Sequence, residues 1–251
     1  MKRELLKLRR LILKALIPEF VWPRAVRVGN VSIKLRGTPY SFGIKRLLKN
    51  APDSYEGPER HFIMDLSEGD QVLEYGGSLG IVTALISERI GPRGRVVSVE
   101  ADEALTSYSK TWLELRGNVE VVSSFAFPIY RRVPLNVTFD NSGGSLGGMI
   151  NFEKTGQESE KDYENCFFII DAEERCSLKP NVLFIDIEGA EKIILEHSPE
   201  VPPYVQKIVI ELHPTVYGEE IEKRIVCRLL DEGFNMTGHL GSVYHFRRQA
   251  I

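Results

Sequence analysis

Residues 71–80 read Gln-Val-Leu-Glu-Tyr-Gly-Gly-Ser-Leu-Gly, an apolar run that ends in an acid and breaks on a dense glycine turn. A helical pattern begins at Leu79 and runs to Ile90, and a second β-rich run, Arg95–Val99, ends in Glu100. Strand, glycine turn, helix and acid-tipped strand in that order make a nucleotide-binding βαβ unit. Glycine lets the chain turn sharply and brings a ligand close to the main chain, because no Cβ intervenes. The next helix aims its free N–H groups at the same spot.

The turn's spacing narrows the ligand. Glu74-x-Gly76-Gly77-Ser78-x-Gly80 departs from the Gly-x-Gly-x-x-Gly of dinucleotide sites and places an acid two residues ahead of the first glycine. At close range that acid repels a pyrophosphate and suits a cationic ligand end, such as the ammonium and sulfonium of S-adenosylmethionine. Glu100 is placed to accept hydrogen bonds from ribose hydroxyls.

The rest of the chain continues the alternation. Strands are expected at 71–75, 95–100 and 119–123, with helices at 79–90 and 103–115, and that rhythm predicts a parallel, doubly wound α/β sheet. From Phe125 to Pro180 the rhythm breaks into a long insert. It holds strand candidates at Val137–Phe139 and Phe167–Asp171, a glycine-rich run at 141–148 without the Gly-Lys-Ser/Thr ending of a phosphate loop, and a solvated polar run, Lys154–Glu164. Such inserts more often shape substrate sites than cores. The continuous apolar runs Val182–Ile185 and Lys207–Leu212 read as strands buried on both faces. Helices 190–197 and 218–232 follow them, and Phe234–Thr237 with Val243–Phe246 form a closing antiparallel pair.

Ahead of this core, residues 2–17 read as a basic amphipathic helix, with Leu5, Leu8, Ile12 and Leu16 on one face. It suits an anionic membrane surface or an RNA backbone, or packs on the domain or a second subunit in a homo-oligomer. A hairpin about Gly29-Asn30, a helix near Ile44–Leu48, a loop at 50–58 placed as a lid over the cofactor, and a short helix at Glu59–Leu66 come next. The expected organisation is an extension over 1–50 and a catalytic domain over 51–251 with its insert at about 125–180.

Composition excludes several classes. At 251 residues and net charge −3, the chain carries no overall nucleic-acid footprint. Cys166, Cys176 and Cys227 lack CxxC spacing, which indicates neither a disulfide framework nor a zinc site and fits a reducing cytoplasm. No apolar run approaches the length of a spanning helix.

In an open α/β sheet, ligands bind outside the carboxyl ends of the strands. The tips here carry Glu74, Glu100, Ser123-Ser124, Asp186 with Glu188, and Glu211 with His213. Acids at four tips repel one another unless a cation sits among them. Asp186, Glu188 and His213 are the candidate catalytic residues. On a continuing strand Asp186 and Glu188 would face one side and hold a divalent metal ion; alternatively Glu188 and Glu191 serve the N-terminus of the next helix.

Val72–Gly80 with Glu100, Asn118–Ala126, Asp186-Ile-Glu-Gly-Ala-Glu191 and Ile208-Val-Ile-Glu-Leu-His-Pro214 together resemble the FkbM-type methyltransferases, over roughly 55–246. The resemblance implies a Rossmann-like class I methyltransferase fold with a C-terminal antiparallel strand, S-adenosylmethionine as cofactor, and O-methylation of a sugar or small-molecule hydroxyl. Carried over by position, Glu74 and Gly76, Gly77 and Ser78 would line the methionine end, with Tyr75 and Gly80 beside them. Glu100 with Ala101 would hold the ribose, Ser124 would sit near the adenine, and Glu56 of Tyr55-Glu56 would join them. Glu74 stands where the family usually has Asp, Gly77-Ser78 where it has Ala-Asn, and Ser124 where it often has Asn. Two other readings remain: an RNA methyltransferase gripping phosphates through Lys2–Lys14 and Arg131-Arg132, and an inert Rossmann-like scaffold.

Overall fold

A computed structural model describes residues 18–130, 135–140, 149–154, 165–196 and 201–249. The expected basic helix at 2–17 and most of the polar run ending at Glu164 lie outside the described residues, as do Arg131 and Arg132. The chain divides into two compact units, Met1–Gly57 and Pro58–Ile251.

In the first unit a 3-10 turn, Glu19–Val21, precedes the hairpin of β1 (Ala25–Val28) and β2 (Val31–Lys34), paired from Ala25↔Lys34 to Val28↔Val31. Gly29 takes a φ of 56°, the conformation a tight two-residue turn requires. Helix α1 (Phe42–Asn50) starts at Ser41, whose hydroxyl accepts a hydrogen bond from the Ile44 N–H at 3.3 Å. Trp22 is buried in this unit, edge-on to Phe42.

Helix α2 (Gly57–Ile63) leads into the second unit. Its backbone is β3 (Gln71–Tyr75), α3 (Ile81–Ile90), β4 (Arg95–Glu100), α4 (Glu103–Leu113) and β5 (Val119–Ser123). The insert then contributes β6 (Phe125–Ala126), β7 (Leu135–Asp140), β8 (Met149–Lys154), β9 (Cys166–Phe167) and α5 (Ile169–Cys176). The chain returns through β10 (Val182–Ile185), a 3-10 turn at Ala190–Lys192, α6 (Ile193–Glu196), β11 (Lys207–Glu211), α7 (Pro214–Tyr217), α8 (Glu219–Asp231), β12 (Phe234–Leu240) and β13 (Val243–Arg248).

Seven strands form one sheet in the order β12-β13-β11-β10-β3-β4-β5. β13 runs antiparallel to both its neighbours and the remaining pairs are parallel. The strand order reverses between β3 and β10, so the topological switch point lies between their carboxyl ends. This doubly wound sheet with one reversed strand is the Rossmann-like class I methyltransferase fold. The apolar runs behave as their composition dictates: Val182, Leu183, Phe184 and Ile185 are all buried, as are Ile208, Val209 and Ile210.

The insert corrects one expectation. Phe167–Asp171 is not a strand: Cys166–Phe167 pairs briefly with β6, and the chain turns into α5. Asp171 causes the turn, because its carboxylate accepts the Phe168 N–H at 2.8 Å and caps the helix start. Val137–Phe139 lies within β7, which pairs antiparallel with β8, and β6 and β9 pair apart from the main sheet. The helix expected at 190–197 opens as the 3-10 turn at Ala190–Lys192 and becomes α-helical only from Ile193. The helix expected at 218–232 is present as the continuous α8, with the short α7 ahead of it across Gly218. Residue 197 lies outside the described residues.

Candidate active site

The two strands flanking the switch point each end in a turn with left-handed backbone at its third residue. Tyr75 O accepts the Asp186 N–H at 2.9 Å, joining them as they leave the sheet. Three residues past Tyr75, Ser78 has a φ of 46°, and three past Ile185, Glu188 has a φ of 54°. Left-handed backbone at a non-glycine residue is strained by about 1–3 kcal/mol and concentrates at functional sites.

The glycines of the first turn are fixed by close packing. A Cβ on Gly76, whose φ is 91°, would stand 1.6 Å from the Asp186 carbonyl oxygen; one on Gly77 would stand 2.0 Å from Ser98 Oγ. Gly80 ends the turn under Leu113. Glu100 closes it, accepting the Ser78 N–H on Oε2 and the Asp102 N–H on Oε1, both at 2.8 Å. An ionised carboxylate has about four acceptor positions, so two bonds to the main chain orient Glu100 and leave lone pairs for a diol. Burial raises its carboxyl above the ordinary value, although the N–H groups of Asp102 and Ser78 pull the other way. Ala101 links Glu100 to Asp102, the cap of α4. A pinned carboxylate beside a turn with strained backbone fits the ribose and the methionine end of S-adenosylmethionine.

Three residues expected at that cofactor turn their side chains elsewhere. Glu74 is 2% exposed and lies beneath the turn, with Thr83 Oγ1 donating to its Oε2 at 2.5 Å. Burial drives its carboxyl up to about 7 against hydrogen bonds from Ser98 and Thr83. Tyr75 alternates to the opposite face of β3, into the apolar core, where its hydroxyl is buried and hydrogen-bonded to none of the described residues. Ser124 spends its hydroxyl on the Asn165 carbonyl at 2.8 Å. Glu56 belongs to the first unit, at a φ of 45°.

On the other side of the switch point, the turns after β10 and β11 interlock. The Glu188-Gly189 corner aims the Ile187 and Gly189 N–H groups at one oxygen of Glu191, at 3.2 and 3.3 Å. Glu191 is fully buried, and the same Oε1 lies 3.0 Å from His213 Nδ1. His213 also donates its backbone N–H to the Tyr217 hydroxyl at 2.6 Å, from the first turn of α7. The far ring nitrogen, Nε2, faces Glu188 Oε2 at 3.6 Å and Asp186 Oδ1 at 3.7 Å. Burial lowers the His213 imidazole, but the hydrogen bond and charge of Glu191, with the charges of Asp186 and Glu188, outweigh it and raise it to about 9. Burial likewise raises Glu188, offset by His213.

The three expected catalytic residues therefore meet at one point. Metal-ligating geometry differs from expectation: Asp186, Glu211 and His213 bring ligand atoms within 4.8 Å of one another, with Glu211 in the place given to Glu188. Glu188 still meets the His213 ring, but it is not part of that ligand group, because the chain has left the strand by that residue. Glu211 also accepts the Ser242 hydroxyl at 2.7 Å. Sequence reasoning missed Glu191 as a partner of His213 and Tyr217 as its backbone anchor. The acid five residues after Asp186 was a visible signal; Tyr217 gave none.

Residues 60–147 match the family model described as protein-L-isoaspartate(D-aspartate) O-methyltransferase. The chain is 39% identical over 62 residues to protein-L-isoaspartate O-methyltransferase 2 of Archaeoglobus fulgidus, and 37% identical over 73 residues to the corresponding enzyme of Methanosarcina mazei. Those matches cover 24% and 27% of this chain and span only 28% and 30% of the relatives' lengths. Among solved structures, it is similar to Aeropyrum pernix fibrillarin in complex with S-adenosyl-L-methionine, at 15% identity and a TM-score of 0.46, covering 76% of this chain and 74% of that one. A SAM-dependent methyltransferase of Aquifex aeolicus is similar at 18% identity and a TM-score of 0.37, covering 80% and 89%.

Proposed function

We propose that this chain is a methyltransferase that binds S-adenosylmethionine across the tips of β3 and β4 and methylates a hydroxyl on a sugar or other small molecule, as the FkbM-type enzymes its motifs resemble do. The observation that carries the reading is the meeting, around one switch point, of the pinned Glu100 carboxylate and the His213–Glu191 pair with Asp186 and Glu188. When bound, S-adenosylmethionine supplies an electrophilic methyl group on a positively charged sulfur. Glu100 holds the ribose, and the Gly76–Ser78 turn receives the methionine end. The carboxylates of Asp186, Glu188 and Glu211 favour a cation at the strand tips. His213 Nε2 removes the acceptor's proton, with Nδ1 held by Glu191. A cation arriving nearby lowers the imidazole's proton affinity and releases the base form.

A second reading, methylation of a protein carboxyl group, is favoured by the match over residues 60–147. That match ends before Asp186, and so covers the cofactor half without the acceptor half. An anionic acceptor would also meet Asp186, Glu188 and Glu211 at close range, which makes the hydroxyl the better fit. Calorimetric titration with S-adenosylmethionine, with NAD as control and Glu100→Ala alongside, tests the cofactor. Labelled methyl transfer to hydroxylated sugars and to an isoaspartyl peptide tests the acceptor. Absence of heat with S-adenosylmethionine overturns the enzyme reading, and label on the peptide alone overturns the hydroxyl reading.

A further inference from the structure

Charge is divided sharply between the two units. Residues 1–57 hold 13 Lys and Arg against four Asp and Glu, while residues 58–251 hold 19 against 31. A chain with net charge −3 thus carries a first unit of +9 and a second of −12. Such asymmetry marks a surface for an anionic partner.

The first unit also displays apolar side chains. Phe20 is 74% exposed and Val21 46%, on the 3-10 turn directly after residues 2–17. The turn is firmly fixed: Glu19 accepts from Lys45 Nζ at 2.6 Å and from the Gly37 N–H at 2.8 Å. Arg36 donates to the carbonyls of Phe20 at 3.1 Å and Trp22 at 2.8 Å. Trp22, the next residue, is buried. Two large apolar groups are therefore held outward by a network of charged groups. The sequence before them, residues 2–17, has six basic residues, one acid and eight leucines and isoleucines.

We infer that the first unit docks on an anionic lipid surface, drawn there by the basic charge of its sequence, with Phe20 and Val21 inserted into the headgroup region. Basic residues interleaved with Leu and Ile are the composition of an interfacial segment. An RNA-binding surface stacks bases on aromatic rings and has no use for a row of leucines. A docked chain works on an acceptor at the membrane face, a hydroxylated lipid headgroup included. The docking itself does not depend on the methyltransferase reading.

The test is co-sedimentation of the full chain with phosphatidylcholine vesicles and with vesicles containing phosphatidylserine, at physiological ionic strength. Pelleting with the anionic vesicles alone is expected. At about 1 kcal/mol per basic residue near an anionic surface, the triple change Lys7→Gln, Arg10→Gln and Lys14→Gln should weaken binding on the order of 100-fold. Phe20→Ser should weaken it about tenfold, from the lost apolar burial. Melting curves check that each variant folds, and Val21→Ser replaces Phe20→Ser should the latter shift the midpoint. No pelleting, or pelleting that folded variants leave unchanged, overturns the inference. So does tighter binding to a single-stranded RNA in the same buffer, or dimerisation that proceeds without vesicles.

Discussion

His213 Nδ1 lies 3.0 Å from Oε1 of Glu191, a carboxylate sealed from solvent and held by the N–H groups of Ile187 and Gly189. One ring nitrogen is thereby committed to a fixed acceptor, and the other is left to face Asp186 and Glu188. The pair joins the turn after β10 to the turn after β11, so a residue from each strand tip defines the geometry of the other.

Glu191→Gln tests that pairing. Glu191 supplies the main upward influence on His213, which burial alone would lower; with Asp186 and Glu188 it brings the imidazole to about 9. A base acts only when deprotonated, so kcat/KM of the wild type should rise with pH toward that value. In Glu191→Gln the proton affinity falls, and the rise should move to lower pH by about one unit or more. Loss of the oriented base should also reduce kcat on the order of 100-fold. A pH profile of kcat/KM for both proteins, which reports the groups of the free enzyme, decides it; an unmoved profile rules out the pairing as the source of the shift.

Glu74→Gln should stabilise the protein, and only above mildly acid pH. Burial beneath the glycine turn raises the Glu74 carboxyl from 4.5 to about 7. Below 4.5 it is protonated in both folded and unfolded chains and has no effect. As pH climbs through 7 the unfolded chain ionises first, and the stability present at low pH is lost. A shift of that size corresponds to about 3 kcal/mol. Chemical denaturation at pH values on either side of the window should show the variant equal to wild type at the acid end and more stable at the alkaline end.

The sequence made β3, β4, β10 and β11 legible because each is a short, largely apolar run punctuated by glycine, proline or an acid, as strands buried on both faces are. It made β5 legible because Val119 and Val121 alternate with Glu120 at the sheet's edge. It also placed Asp186, Glu188 and His213 together, because strand-tip residues of a doubly wound sheet share one end of the molecule. Side-chain direction was not legible. Glu74 runs into the glycine turn and Ser124 follows the tip of β5, yet each finds a nearer partner, Thr83 and the Asn165 carbonyl respectively. The helix over Ile169–Cys176 was hidden because Phe167–Ile170 is as apolar as any strand, and only the Asp171 cap distinguishes it.

Gly76 and Gly77 stand side by side and should respond differently to alanine. At Gly76 the new Cβ would lie 1.6 Å from a main-chain oxygen, that of Asp186, on a backbone at φ 91°. Neither obstacle can rotate away, so Gly76→Ala should cost more than about 4 kcal/mol and yield little folded protein. At Gly77 the obstacle is Ser98 Oγ, 2.0 Å away, which a rotamer change removes. Gly77→Ala should therefore fold, at a cost of about 1–2 kcal/mol for the polar contacts Ser98 leaves behind. Thermal melts of the two variants check the order, and equal losses would contradict it.

Gly189 carries the other half of the interlock. Its φ is 105°, and a Cβ there would lie 2.7 Å from Cγ1 of Val216, on the helix that His213 precedes. Gly189→Ala should bring about 1–3 kcal/mol of backbone strain and a similar cost of overpacking. The overpacking pushes on α7 and hence on the His213 ring, so activity should fall along with stability. Val216→Ala alone should be mild, because Val216 is 46% exposed. Combined with Gly189→Ala it removes the steric conflict and leaves the strain, so the double variant should recover roughly half the lost stability and most of the lost turnover. A double-mutant cycle read by melting and by kcat separates the two contributions. Additive losses would show that Gly189 is required by its backbone conformation alone, and that the Val216 contact does not position His213.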